Sequence, residues 1–227
     1  VLFRSRYKHS AMAEANLSSC AVCASNRAVN WCDIRSSLRA SDSSTAGSTG
    51  GGGVGVGTGG TGGVGGVGGG VVVDGHIYHG ARPGEVEIGH VRLDKAGTTV
   101  ESQCSGWAVD RRIREAIRRQ PSCVLAKLVS GARSGEARFL SAALAEGDPV
   151  ARQLIEAVAD DLGFALSHAV QLFHPEVIVV GGGLALVGEP LRAAIAAALP
   201  RYVMEAFLPG PRVALAELRE DPVPVGA

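Results

Sequence analysis

Residues 62–90 read GGVGGVGGGVVVDGHIYHGARPGEVEIGH. A glycine run leads into Val71–Val73, turns at Asp74-Gly75 and resumes at Ile77-Tyr78, which predicts a β-hairpin. Ahead of it, Gly65-Gly66-Val67-Gly68-Gly69-Gly70 runs straight into the first strand. Glycine there permits positive φ and leaves N–H groups free to face an anion. Behind the hairpin stand Glu87 and His90, a carboxylate and an imidazole three residues apart. A glycine loop joined to such side chains suggests two ligands meeting, one of them phosphorylated.

Each feature also has a plainer reading. The glycines between 50 and 70 fit a flexible linker, a phosphate cradle, or the two in succession, and Gly51–Gly63 looks like filler. The loop lacks the Lys-Ser/Thr of a P-loop and precedes no helix, so neither the Walker nor the Rossmann pattern fits. Glu85, Glu87 and His90 fit a solvated acidic turn with a surface histidine as well as a binding site.

The 227 residues carry a formal net charge of +0, which gives no broad attraction to nucleic acid or membrane. No apolar run reaches the ~18 residues of a membrane span, and the start has no apolar core followed by a cleavage site. The five cysteines have no regular spacing and read as reduced thiols, so a cytoplasmic location is expected. Cys20, Cys23 and Cys32 supply half of a zinc knuckle without the partners to complete it.

Residues 1–61 are rich in Ser, Ala, Asn and Gly and lack apolar periodicity. They read as a low-complexity, disordered segment, either a Gly/Ser linker or a non-native join, since the chain opens on Val1. Residues 62–227 read as one α/β lobe. A helix from Trp107 to about Arg119 carries arginines on a solvated face. Ser134 is expected to cap a second helix, running to Glu146. Asp148-Pro149 opens the longest helix, with an apolar stripe to Phe173. His168 and His174 near its end read as dipole-complementing or core-edge residues. Val177–Val180 is a strand buried on both faces, followed by Gly181–Gly183 at its carboxyl end, where α/β sheets gather ligands. A helix over Glu189–Leu199 and a strand at Val213–Ala216 complete the pattern.

VGGVGGGVVVDGHIYHGARPGEVEIGH, then ESQCSGWAV, then LFHPEVIVVGGG, together resemble the ROK family of sugar kinases and sugar-responsive repressors. The resemblance runs from near Gly62 to the end. It implies the ribonuclease-H-like actin/hexokinase (ASKHA) fold, of which this would be the C-terminal lobe. It also implies an ATP-dependent, glucokinase-like hexose kinase using ATP and Mg2+, with a hexose or amino sugar as substrate. Glu87 and His90 match the E-I-G-H motif that contacts sugar hydroxyls, and Glu101 matches a further sugar-contacting glutamate. Gly66, Gly68 and Gly69 match a phosphate loop, and Gly181, Gly182 and Gly183 match a turn lying against adenosine. Homodimers are common in the family, so association through this lobe is expected.

Three departures bear on activity. The zinc motif is missing: only His90 remains, Thr99 stands at the last cysteine's place, and no structural zinc is expected. Gly65 replaces the phosphate loop's usual Thr or Ser. The D-x-G-G-T-K loop and the E-N-D-A-N segment with the catalytic aspartate have no match in residues 1–61, where Asp33 and Asp42 lie in unpatterned sequence. The expectation is therefore a kinase lobe that is largely inactive by itself. A sugar-binding module without catalysis and a sugar-responsive repressor are the alternatives, although no helix-turn-helix pattern is present.

Overall fold

The computed structural model describes residues 53–58 (backbone only), 66–73, 76–78, 80 and 86–216. Five strands form one mixed sheet: β1 (Gly53–Thr58), β2 (Val67–Val73), β3 (His76–Ile77), β4 (Val177–Gly182) and β5 (Arg212–Leu215). Their order is β3-β2-β1-β4-β5. β1 runs antiparallel to β2 and parallel to β4, and β4 runs parallel to β5. The expected hairpin is present as β2 and β3, with Val72 opposite Ile77; its turn at Asp74-Gly75 lies outside the described residues.

β1 corrects the sequence reading. Gly53–Thr58 was assigned to filler before residue 62, yet it is the central strand of the sheet. The signal was present: GVGVGT alternates with period two, and glycine pleats pair like any other backbone. β2 likewise starts earlier than its valines suggested, so Gly68, Gly69 and Gly70 are strand residues.

Among the described residues six α-helices accompany the sheet: α1 (Val100–Cys104), α2 (Gly106–Arg119), α3 (Val124–Leu128), α4 (Leu140–Ala145), α5 (Pro149–Phe173) and α6 (Glu189–Ala198). α5, 25 residues long, spans about 37 Å. Its broad apolar stripe packs with Ile178 and Val180 of β4 and Val67 and Val71 of β2 in one core. α6 crosses α5 where Gly163 has no side chain; a Cβ there would stand 2.9 Å from that of Ala198. β4 is buried over Val177–Val180, as its unbroken apolar run requires of a strand covered on both faces.

One other reading changes. Ser134 does not cap a helix: Gly135 turns left-handed (φ 73°), a 3-10 turn covers Glu136–Phe139, and α4 follows. The arginines of α2 do form a solvated face, with Arg111, Arg114, Arg118 and Arg119 exposed, and three of the helix's arginines also hold partners. Arg111 donates to the Ser102 carbonyl, Arg112 to the Gln103 carbonyl and Asp161, and Arg114 to Glu136. Asp110 is buried on the same helix, where it accepts the amides of Gly135 and Ala137 at 2.8 and 2.9 Å. Burial pushes its carboxyl up from the ordinary range, against those amides. Glu136 goes the other way: burial opposes its charge, but its Arg114 bond prevails and holds it low.

Among the described residues no helix is long and apolar enough to cross a membrane. His168 bonds the Phe164 carbonyl and His174 caps α5 while stacked on Phe207, so both belong to the helix end.

Asp148 joins two helices at once. Fully buried, it caps α5 through the Val150 amide (2.8 Å) and accepts the Leu125 amide of α3 (2.6 Å). Asp148→Ala strands a buried donor and is expected to cost about 1–3 kcal/mol. Urea unfolding checks this, as a lower midpoint with an unchanged slope.

Candidate functional site

The glycine elements meet at one edge of the sheet. The carboxyl ends of β1 and β4 and the amino end of β2 all reach it: Thr58 is level with Val67 on one side and Gly182 on the other. One row back, Gly57 lies between Gly68 and Gly181, so three adjacent strands present backbone without side chains. At the usual strand spacing, Val67 and Gly182 stand roughly 10 Å apart. Gly66 and Gly183 flank these two positions at the same rim. Parallel strands place their ligands at this end of a sheet.

On the β4 side the chain leaves through Gly182, at φ 76° and ψ −172°, a conformation open only to glycine. A 3-10 turn, Gly183–Val187, follows at once and buries Leu184, Ala185 and Val187. A Cβ on Gly181 would meet the Ala216 side chain at 3.3 Å.

On the β2 side, side chains take over. Glu101, in the first turn of α1, accepts the Val67 amide at 3.1 Å. Gly66 makes that approach possible, because a Cβ there would collide with the Glu101 carboxylate. Glu101 therefore needs both a helix start and a bare neighbour. The helix start is a capping box: Thr99 accepts the Ser102 amide and Ser102 accepts the Thr99 amide. Sequence reading missed α1, because five residues are too few for a periodic signal. The Thr99-x-x-Ser102 spacing was the available cue.

Glu87 and His90 flank the 3-10 turn Ile88–His90. Glu87 sits at φ −70°, ψ 65°, between a Val86 carbonyl and an Ile88 amide 2.7 Å apart, the geometry of an inverse γ-turn. Val86 holds φ 60°, costly for a β-branched residue and kept only under close local constraint. The constraint is packing on β2. Gly89 lies so close to the Val67 carbonyl that any side chain would collide with it, and Gly69 makes room for Val86 and Ile88. Ile88 is buried while Glu87 and His90 are exposed, so the turn is pinned by its middle and offers its polar ends.

Glu101 and Gly66 thus meet at Val67, the turn between Glu87 and His90 packs on the same residue through Gly89, and Gly68, Gly181, Gly182 and Gly183 continue the rim. Gly69 lies one row deeper in β2, under Val86. Cys104, the last residue of α1, is fully buried, and burial pushes its thiol far up. The loop where a zinc motif would lie runs instead as a hydrogen-bonded hairpin from Val91 to Val100. No three His, Cys, Asp or Glu side chains gather to hold a metal among the described residues, so this donor set does not fit tetrahedral zinc. Cys20, Cys23, Cys32, Asp33 and Asp42 lie outside the described residues.

The chemistry divides at the rim. Bare glycine backbone suits phosphate and a flat heterocycle. Two carboxylates and an imidazole suit a ligand with several hydroxyls. Glu101→Ala is expected to expose the Val67 amide, and hydrogen exchange should show its protection lost while that of the α5 core amides is kept.

Comparison with known proteins gives a consistent result. A profile of the ROK family matches residues 56–227. A glucokinase of Thermotoga maritima is 29% identical over 167 residues, covering 70% of this chain and 53% of that protein. The DNA-binding transcriptional repressor Mlc of Escherichia coli is 27% identical over 141 residues, covering 61% of this chain and 35% of the repressor. Among solved structures, a ROK family glucokinase from Streptomyces griseus in complex with glucose and AMPPNP superposes with a TM-score of 0.69 and 26% identity, over 80% of this chain and 60% of that one. The chain spans about half the length of the first curated relatives it matches.

Proposed function

The chain belongs to the ROK family, and from that premise we propose that it forms the C-terminal, sugar- and nucleotide-binding lobe of an ATP-dependent hexose kinase. One observation carries the proposal. Glu101 on the Val67 amide and the glycine turn after β4 share a single sheet edge, separated only by β1. That spacing suits a sugar and a triphosphate lying end to end.

In this reading Glu87, His90 and Glu101 hold sugar hydroxyls. The carboxylates accept and the imidazole donates or accepts. Gly68 lets phosphate approach the backbone, while Gly66 and Gly69 shape that stretch by admitting Glu101 and Val86, and Gly181, Gly182 and Gly183 lie against the adenosine. Magnesium bound with ATP neutralises phosphate charge in such reactions. The sugar oxygen attacks the γ-phosphorus, the bond to the β-phosphate bridge breaks, and the hydroxyl proton passes to a carboxylate. The sequence provides no aspartate in the expected pattern for that last role. Binding of both ligands with weak turnover is therefore proposed for this chain, since loss of a general base costs roughly 10²–10⁴-fold. The setting is the cytoplasm, and self-association through this lobe accompanies the proposal.

A second reading has its own support, the similarity to the repressor Mlc over 61% of this chain. A sugar-sensing lobe keeps the hydroxyl-binding side chains without needing nucleotide. Nucleotide binding separates the two readings.

Calorimetric titration with glucose, N-acetylglucosamine and Mg-ATP is the test. The kinase-lobe reading expects heat from one sugar and from Mg-ATP. The double variant Glu87→Ala with His90→Ala should lose the sugar heat and keep that of the nucleotide. Sugar binding that survives the double variant would sink the site assignment. Sugar binding without any nucleotide binding would favour the sensor.

A further inference from the structure

The two ends of the candidate sugar site are joined by a small hairpin, and one exposed carboxylate closes it. His90 and Glu101 each lie one residue outside its first rung, in which the Val100 amide donates to the Val91 carbonyl at 3.0 Å. The second rung pairs Arg92 with Thr99, and the third runs from the Leu93 amide to the Thr98 carbonyl at 2.8 Å. At the tip, one Asp94 oxygen accepts the amides of Gly97 at 2.8 Å and Thr98 at 3.1 Å. Gly97 takes φ 103° to close the turn.

We propose that Asp94 is a positioning residue: by closing the Val91–Val100 hairpin it sets the separation of His90 from Glu101 and thereby the fit of a polyhydroxyl ligand between them. Rungs near the tip bury little. Val91 and Leu93 lie half-buried against the core and steady the base of the ladder, whereas Asp94, Lys95, Ala96 and Gly97 are all exposed, so packing does not hold the tip. The Asp94 bonds supply closure from within. They reach the site along the ladder, first to the Thr99 cap of α1 and then to Glu101 in its first turn. The Thr98 hydroxyl and amide hold the Asp94 carboxyl below its usual range, as expected for a carboxylate that gathers donors in its charged form. Asp94 contacts no ligand in this account and acts only through its neighbours.

The inference rests on the sugar-site reading, and the experiment keeps the two apart. Asp94→Ala and Asp94→Asn are compared with the unaltered chain by hexose titration, Mg-ATP titration and hydrogen exchange at the Val67 amide. Asp94→Ala should weaken hexose binding roughly tenfold or more, the scale on which small misplacements of a binding group act. Nucleotide affinity should stay within about twofold, because the β4 turn does not depend on the hairpin. The Val67 amide should exchange faster, reporting a looser Glu101. Asn keeps the accepting oxygen, so Asp94→Asn should recover most of the affinity and most of the protection. If the unaltered chain binds no hexose, the sugar reading fails, and the exchange measurement still decides the role of Asp94. Unchanged exchange at Val67 in Asp94→Ala overturns the inference, as does equal loss of sugar and nucleotide binding.

Discussion

The sheet depends on the two backbone ladders of β1. In the order β3-β2-β1-β4-β5, β1 is the one described strand that joins the hairpin β2–β3 to the parallel pair β4–β5. Without it the hairpin would stand alone, and an isolated hairpin is marginal in water. Half of this strand is glycine, which disfavours a strand through chain entropy. Pairing on both sides offsets that cost. β4, its apolar neighbour, contributes Ile178 and Val180 to the core.

The same glycines place the functional rim. Gly57, Gly68 and Gly181 form a row across three strands, so a ligand there meets peptide planes and amides rather than side chains. Around Val67 the glycines have another task. Gly66 and Gly89 are bare because Glu101 and the Ile88–His90 turn press against β2. Composition alone cannot separate these uses. A glycine admitting a ligand and a glycine admitting the protein's own backbone look alike in sequence, and the packing partners distinguish them.

That limit explains what sequence reading reached. The long apolar stripe of α5, the Asp148-Pro149 start and the unbroken valines of β4 were legible because burial imposes a period or a run on many residues at once. β1 was hidden because its alternation was set in glycine that resembled linker. α1 and α3 are five residues each, shorter than any periodic signal. Ser134 failed as a cap because Asp110, 24 positions earlier in the chain, took up the amides of Gly135 and Ala137. The candidate site was legible as residue types, and family resemblance supplied the grouping. The contact between Glu101 and the Val67 amide was not legible, since it crosses 34 positions and leaves no local trace.

The two halves of the rim differ in what holds them. The half proposed for nucleotide is built from strand ends, and strand ends inherit the rigidity of the sheet and its core. The half proposed for sugar is a γ-turn, a 3-10 turn and a five-residue helix start, all attached to the sheet through Val67 and its neighbours. Local opening free energy follows burial, and Glu87, His90 and residues 94–97 are exposed. The sugar half is therefore the part that opens first, and a bound polyhydroxyl ligand would draw its carboxylates and imidazole together. Nucleotide recognition in such a lobe should tolerate side-chain change except where a Cβ is added, whereas sugar recognition should respond to every contact that steadies Val86–Glu101.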